Sequence, residues 1–142
     1  MSPCFSSVSS TLMNCDLTEK AAAAREKALA PYSGFKVGAA LETRDGLVYT
    51  GCNIENASYG LSVCAERVAL WKALSDGARD FRRIAIVTEG EPLTSPCGAC
   101  RQLLWEYCGD IAIHLHSLDG LDEQYQLADL LPHPFDKRSL RP

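Results

Sequence analysis

Residues 83–115, RIAIVTEGEPLTSPCGACRQLLWEYCGDIAIHL, decide how the rest of the chain is read. Ile84-Ala85-Ile86-Val87 is a short β-branched and apolar run, which predicts a buried strand from Arg83 to Thr88. The polar stretch Glu89 to Pro96 follows as a loop. A helix is expected from about Gly98 to Tyr107, and Ile111 to Leu115 forms the next strand. Strands alternating with helices argue for a layered α/β domain, a sheet flanked by helices.

The same alternation extends upstream. Asp16-Leu17-Thr18-Glu19 has the capping-box pattern of a helix start, and the Ala-rich run to Ala30 carries high helix propensity until Pro31 ends it. A strand is expected over roughly Lys36 to Glu42. Asp45-Gly46 gives a hairpin signal, and Leu47 to Thr50 returns as its partner. Gly51 to Ser62 is a polar, Asn-rich loop of the length associated with function. From Cys64 to about Leu74, apolar Ala65, Val68, Ala69, Trp71 and Leu74 recur at helical spacing. Downstream, Asp119-Gly120 marks a turn, Gln124 to Leu127 a weaker strand and Ala128 to Leu131 a short helix, before an irregular Pro-rich tail. Residues 1 to 14 are Ser-rich and aperiodic, the pattern of a mobile arm; residues 15 to 142 form one domain without repeat or linker.

Bulk properties narrow the function classes. The chain has 142 residues, 46% hydrophobic and 23% charged, the balance of an ordinary globular protein. Its formal charge of -4 and the lack of any dense basic stretch argue against a nucleic-acid partner, because polyanions are bound largely through Lys and Arg. No apolar run approaches bilayer length, and the N-terminus lacks the basic start and apolar stretch of a secretory signal. A cytoplasmic location and a small uncharged substrate are expected.

Seven cysteines is an odd number and a high one. In a reducing compartment, clustered cysteines more often bind metal or do chemistry than form disulfides. Cys97-Gly98-Ala99-Cys100 is a C-x-x-C pair on the first turn of a helix, where residues three apart share a face. Alone it is ambiguous between a redox pair, half of a structural zinc site and an incidental pair of buried thiols, and its place late in the chain ranks the redox reading lower. A structural site takes four protein ligands, yet no second C-x-x-C or His pair exists, and Cys64 stands alone. Three cysteines with one open position, as a catalytic zinc requires, is the favoured reading; a closed site that adds Cys52 or Cys108 is the rival. Glu66, two residues after Cys64, is placed to move a proton at that open position, against the plainer reading of a carboxylate at a helix N-terminus. Three thiolates over-compensate a Zn²⁺ charge, so Arg67, and less strongly Arg101, are candidate donors to thiolate sulfur. His114 and His116 alternate with Ile113 and Leu115 on a strand, and with His133 are read as non-ligands.

The strings CAER (64–67) and SPCGACRQ (95–102), with PYSGFKVGAAL (31–41) and GCNIENASYG (51–60), resemble the cytidine deaminase family in its small homotetrameric form. The likeness runs from about Leu17 to Phe135. It implies a three-layer α-β-α cytidine deaminase-like fold with a mixed sheet, residues 15–142 forming the cytidine deaminase domain. It implies one Zn²⁺ per subunit and hydrolytic deamination of cytidine and deoxycytidine in pyrimidine salvage, with Glu66 taking the proton of the attacking water and helping to protonate N3. It further implies that Asn53 and Glu55 bind ribose hydroxyls, that Phe35, Tyr59 and Ala65 line the nucleoside pocket, and that Phe135 reaches a neighbouring subunit's site. Core packing is the competing reading for Phe35 and Phe135. Nucleic-acid deaminases generally present His where Cys64 stands, so Cys64 favours a free nucleoside. Two alternatives stay open: a deaminase of another cytosine-bearing compound, such as the blasticidin S deaminases, and a non-catalytic zinc-stabilised binding module.

Overall fold

A computed structural model of the chain describes residues 9–140. Five strands form one mixed sheet: β1 (Gly38–Thr43), β2 (Val48–Cys52), β3 (Phe81–Thr88), β4 (Ala112–Ser117) and β5 (Asp122–Gln126), in the order β2-β1-β3-β4-β5. β1 is antiparallel to both β2 and β3, β4 is parallel to β3, and β5 returns antiparallel to β4. Four α-helices complete the domain: α1 (Ser9–Arg25), α2 (Ala65–Ser75), α3 (Gly98–Cys108) and the single turn α4 (Leu127–Leu130).

The period-two alternation of the strands sorts side chains into two cores. Leu41, Ile84, Ile86, Ile113 and Leu115 pack with Leu70 of α2 and Leu104 of α3 on one face. Ala40, Ala85 and Val87 pack with Leu17 and Ala21 of α1 on the other. The result is the expected three layers, helices on both sides of a mixed sheet. His114 is in register with Ala85, so it lies on the α1 face, opposite Ile113 and Leu115 as the alternation requires.

Two glycines allow the helices to sit this close. A Cβ at Gly38 would lie 2.0 Å from the Ala21 carbonyl oxygen of α1, and one at Gly51 would lie 2.4 Å from the Ala65 carbonyl oxygen of α2. No side chain fits at either position.

The first helix differs from the expectation at both ends. It begins at Ser9, ahead of the anticipated start at Asp16, so Ser9 to Asn14 of the expected arm are helical; residues 1–8 of that arm lie outside the described residues. Asp16 does not cap a start but pairs with Lys20 one turn on, at 3.4 Å. The helix stops at Arg25 and not at Ala30, because the chain is drawn into other partners. Leu29 N–H donates to the Asn53 carbonyl, the Glu55 N–H donates to the Leu29 carbonyl, and Arg25 Nε donates to the Lys36 carbonyl. Tertiary pairing overrides the helix propensity of Lys27 to Ala30. Elsewhere the boundaries shift by a residue or two at most positions, α3 ending at Cys108 against an expected Tyr107.

Candidate active site

The topology explains how sequence-distant residues meet. β2 and β3 both run antiparallel to β1, so they are parallel to each other, with β1 between them. Each is followed by a helix, and both helices start beyond the carboxyl ends of these two strands, where ligands usually bind in α/β domains. Cys64 is the N-cap of α2; Cys97 is the N-cap of α3, with Cys100 one turn inside it.

Their three sulfurs lie within 4.8 Å of one another, with Cys64–Cys97 at 3.8 Å and Cys97–Cys100 at 3.4 Å. Tetrahedral ligation at a Zn–S length of about 2.3 Å puts neighbouring sulfurs about 3.8 Å apart, so the donor set fits zinc in both chemistry and spacing. Cys52 on β2 and Cys108 at the end of α3 stand outside this cluster. The helix N-termini favour anionic sulfur.

The surrounding charges are arranged to the same end. A hydrogen bond from Cys100 draws the Cys64 thiol down to about 5, against the cost of burial and with help from Arg67, whose Nη2 donates to Cys64 Sγ at 3.7 Å. The Cys100 thiol is held up, chiefly by that bond to Cys64 and by burial. Arg67 Nε is buried without an acceptor, which leaves guanidinium capacity beside thiols that lose their protons on binding metal. Glu66 is buried to 5% exposure, and burial pushes its carboxyl up to about 7, with the Cys64 charge adding to the shift. A carboxyl poised there can both accept and return a proton near neutral pH.

Arg101 was a candidate donor to sulfur and does something else. Its guanidinium donates to the Pro96 carbonyl at 2.7 Å, to Ser95 Oγ at 2.7 Å and to the Leu130 carbonyl at 2.7 Å. It braces the loop that leads into Cys97, and it ties that loop to the C-terminal segment.

Glu66 and two of the cysteines, Cys64 and Cys97, border a cavity of about 410 Å³. Asn53, Glu55, Phe35, Tyr59, Ala65 and Arg67 line the same cavity. Phe135 does not; it stands 61% exposed on the C-terminal tail. Sequence reasoning left out Ile86, which the sheet order delivers, Thr94, which carried no signal beyond lying in a loop before a ligand-bearing helix, and Ser95, which opens the SPCGACRQ string but was given no role.

At the far side of the cavity the polar groups hold the protein's own loop. Asn53 Oδ1 accepts from Val37 N–H and Asn53 Nδ2 donates to the Phe35 carbonyl, both at 2.8 Å. Glu55 Oε1 accepts from the N–H groups of Tyr32 at 3.0 Å and Ser33 at 3.1 Å, while Oε2 accepts from the Ser33 hydroxyl. The Ser33 bonds hold the Glu55 carboxyl below the usual carboxylate range. Both side chains therefore shape the segment that carries Phe35.

Several known proteins are similar to this chain over most of its length. A family described as the cytidine and deoxycytidylate deaminase zinc-binding region matches residues 13–114, which include all three clustered cysteines and Glu66. The cytidine deaminase of Sporosarcina psychrophila is 51% identical over 118 residues, covering 82% of this chain and 87% of that protein. That of Halalkalibacterium halodurans is 50% identical over 120 residues, covering 84% of this chain and 91% of its own. Among solved structures, the cytidine deaminase of Burkholderia pseudomallei matches with a TM-score of 0.83 at 52% identity, over 85% of this chain and 98% of that one.

Proposed function

The chain belongs to the family of cytidine and deoxycytidylate deaminases, and we propose that it hydrolyses cytidine and deoxycytidine to uridine and deoxyuridine, releasing ammonia. The observation that carries this reading is the burial of Glu66 beside the Cys64–Cys97–Cys100 cluster, in the cavity that Asn53 and Glu55 also line.

Zinc held by the three sulfurs supplies a Lewis-acid position that acidifies water toward neutral pH. Glu66 takes a proton from the water whose oxygen bonds C4 of the cytosine ring, and passes it to N3. It then carries the second water proton to the amino nitrogen, the C4–N bond breaks, and ammonia leaves. Arg67 offsets part of the thiolate charge through its bond to Cys64.

Nucleoside recognition falls to the far side of the cavity. Asn53 retains a second amide N–H and Glu55 retains lone pairs, enough for ribose hydroxyls. Phe35, Tyr59 and Ala65 supply wall. Phe135, outside its own chain's cavity, serves the site of a neighbouring copy in a homotetramer; the exposure of Tyr59 and Leu61 beside the site supports such an assembly. No described helix is long and apolar enough to cross a membrane, and we place the enzyme in the cytoplasm, in pyrimidine nucleoside salvage, with neither nucleic acid nor membrane as a partner.

The deciding experiment compares the wild-type protein with Glu66→Gln on cytidine, following uridine and ammonia together with zinc content. The variant keeps its zinc and loses about 10³-fold or more in kcat, the scale of a lost acid–base group. Undiminished turnover overturns the role of Glu66, and a protein that holds zinc but never consumes cytidine overturns the activity.

A further inference from the structure

The C-terminal segment is fastened along α3, the helix that carries Cys97 and Cys100. Arg101 and Trp105, four residues apart, share a helix face. Arg101 Nη1 donates to the Leu130 carbonyl at 2.7 Å, and Trp105 Nε1 donates to Asp136 Oδ2 at 3.0 Å. Between them, Gln102 Nε2 donates to the carbonyl of Phe135 itself at 2.7 Å. Asp136 is held from its other side by Arg138, whose backbone N–H reaches Oδ1 at 3.0 Å and whose Nη2 reaches Oδ2 at 2.7 Å. The carboxylate therefore accepts from the helix and from the tail together. Arg138 first, then Trp105, keep its carboxyl below the usual range.

Two restraints thus flank one residue. The carbonyl of Phe135 and the next side chain along are both pinned to α3, while the phenyl ring is left 61% exposed. A tail that only sealed its own core would bury that ring. A pinned backbone bearing an exposed aromatic is preorganised for a contact outside the chain, because the entropy of ordering is lost before binding.

We propose that Trp105 and Asp136, with Gln102, are positioning residues that preset the backbone of Phe135 for insertion into the nucleoside cavity of a second copy. This rests on the reading of Phe135 given above, and the test separates the two. The substrate then meets an aromatic registered to the metal-bearing helix of the neighbouring copy, and loosening the fastening weakens binding without touching the chemistry.

The experiment is a double-mutant cycle on the zinc-loaded enzyme with cytidine, using Trp105→Phe, which keeps a ring and removes the N–H donor, and Phe135→Ala. Trp105→Phe raises KM about tenfold, the lower end of the scale of one lost hydrogen bond to a charged acceptor, at unchanged kcat and zinc content. In the Phe135→Ala background the same change adds nothing, because the fastening acts only through that ring. Asp136→Ala reproduces the effect from the other partner, and Asp136→Asn, which retains an acceptor, recovers part of it. Trypsin cleavage after Lys137 and Arg138, followed by mass spectrometry, accelerates in Trp105→Phe and Asp136→Ala, which reports the tail independently of activity. An equal rise in KM in both backgrounds, or a silent Trp105→Phe and Asp136→Ala beside a defective Phe135→Ala, overturns the positioning role and leaves Phe135 standing. A silent Phe135→Ala overturns the role of Phe135 and the positioning role with it.

Discussion

The two ends of the cavity use their polar groups in opposite ways. At the metal end one donor has no partner: Arg67 Nε is buried without an acceptor, beside Glu66, whose carboxyl burial pushes up to about 7. At the end proposed for ribose they are already committed, Asn53 to Phe35 and Val37, Glu55 to Tyr32 and Ser33. An unpartnered buried donor is costly and persists where function needs it, which agrees with the metal and proton chemistry proposed for the first end. The second builds its own wall with the groups proposed to meet the substrate. A substitution at the metal end should therefore separate chemistry from folding, and one at the ribose end should mix them.

The largest effect comes from breaking the metal end. Cys100→Ala leaves two sulfurs for a tetrahedral ion, and turnover falls to background, far below the roughly 10²-fold loss expected from removing an outer partner of a metal ligand. Zinc stoichiometry and the rate of uridine formation check this together. Prolonged dialysis against a chelator gives the same loss in the wild type, and added zinc reverses it. Should Cys100→Ala retain a full equivalent of zinc and normal turnover, the contrast between the ends collapses.

Much of the metal end was legible in the chain because its determinants are local. A C-x-x-C on a first turn puts two sulfurs on one face whatever the fold does, and Glu66 follows Cys64 on the same helix. The sheet and its layers were legible for a similar reason: alternation along Ile84 to Val87 and Ile113 to Leu115 is a property of each strand by itself. Contributions that depend on distant pairing were not. Ile86 enters the cavity because β3 neighbours β1, which no local pattern specifies. The early end of α1 is imposed by Asn53 and Lys36. Arg101 follows Cys100 directly, which suggested sulfur as its acceptor, yet a long side chain reaches three oxygens on the Ser95–Pro96 loop and at Leu130 instead.

A substitution of intermediate size sharpens the contrast from the ribose side. Glu55→Gln preserves shape and removes the charge that accepts from Tyr32 and Ser33. Losing a charge-assisted acceptor lowers kcat/KM for cytidine about tenfold to hundredfold, mostly through KM. Because the same oxygens hold the loop, the midpoint of thermal unfolding falls by a few degrees. Zinc content stays at one equivalent. A KM defect with no change in melting would mean that the loop does not depend on Glu55, and the two ends would then be alike.

Ser33→Ala gives the smallest effect and tests the mixed use most directly. The Ser33 hydroxyl donates to Glu55 Oε2 and accepts from Phe35 N–H at 3.0 Å, so it sets both the carboxylate and the start of the segment bearing Phe35. It touches neither the sulfurs nor Glu66. Its two exposed hydrogen bonds contribute little to stability, and the backbone N–H groups of Tyr32 and Ser33 still hold Glu55 Oε1. The orientation of Oε2 is what the variant loses, and KM for cytidine rises about threefold, less than the loss of a whole hydrogen bond to a charged group would cost, while kcat is unchanged. The sign is the informative part. If the hydroxyl competes with ribose for the carboxylate, KM falls instead, because the substrate no longer has to displace it. A fall in KM would show that the bonds at the ribose end are placeholders for substrate and not supports, which would bring that end closer in kind to the metal end.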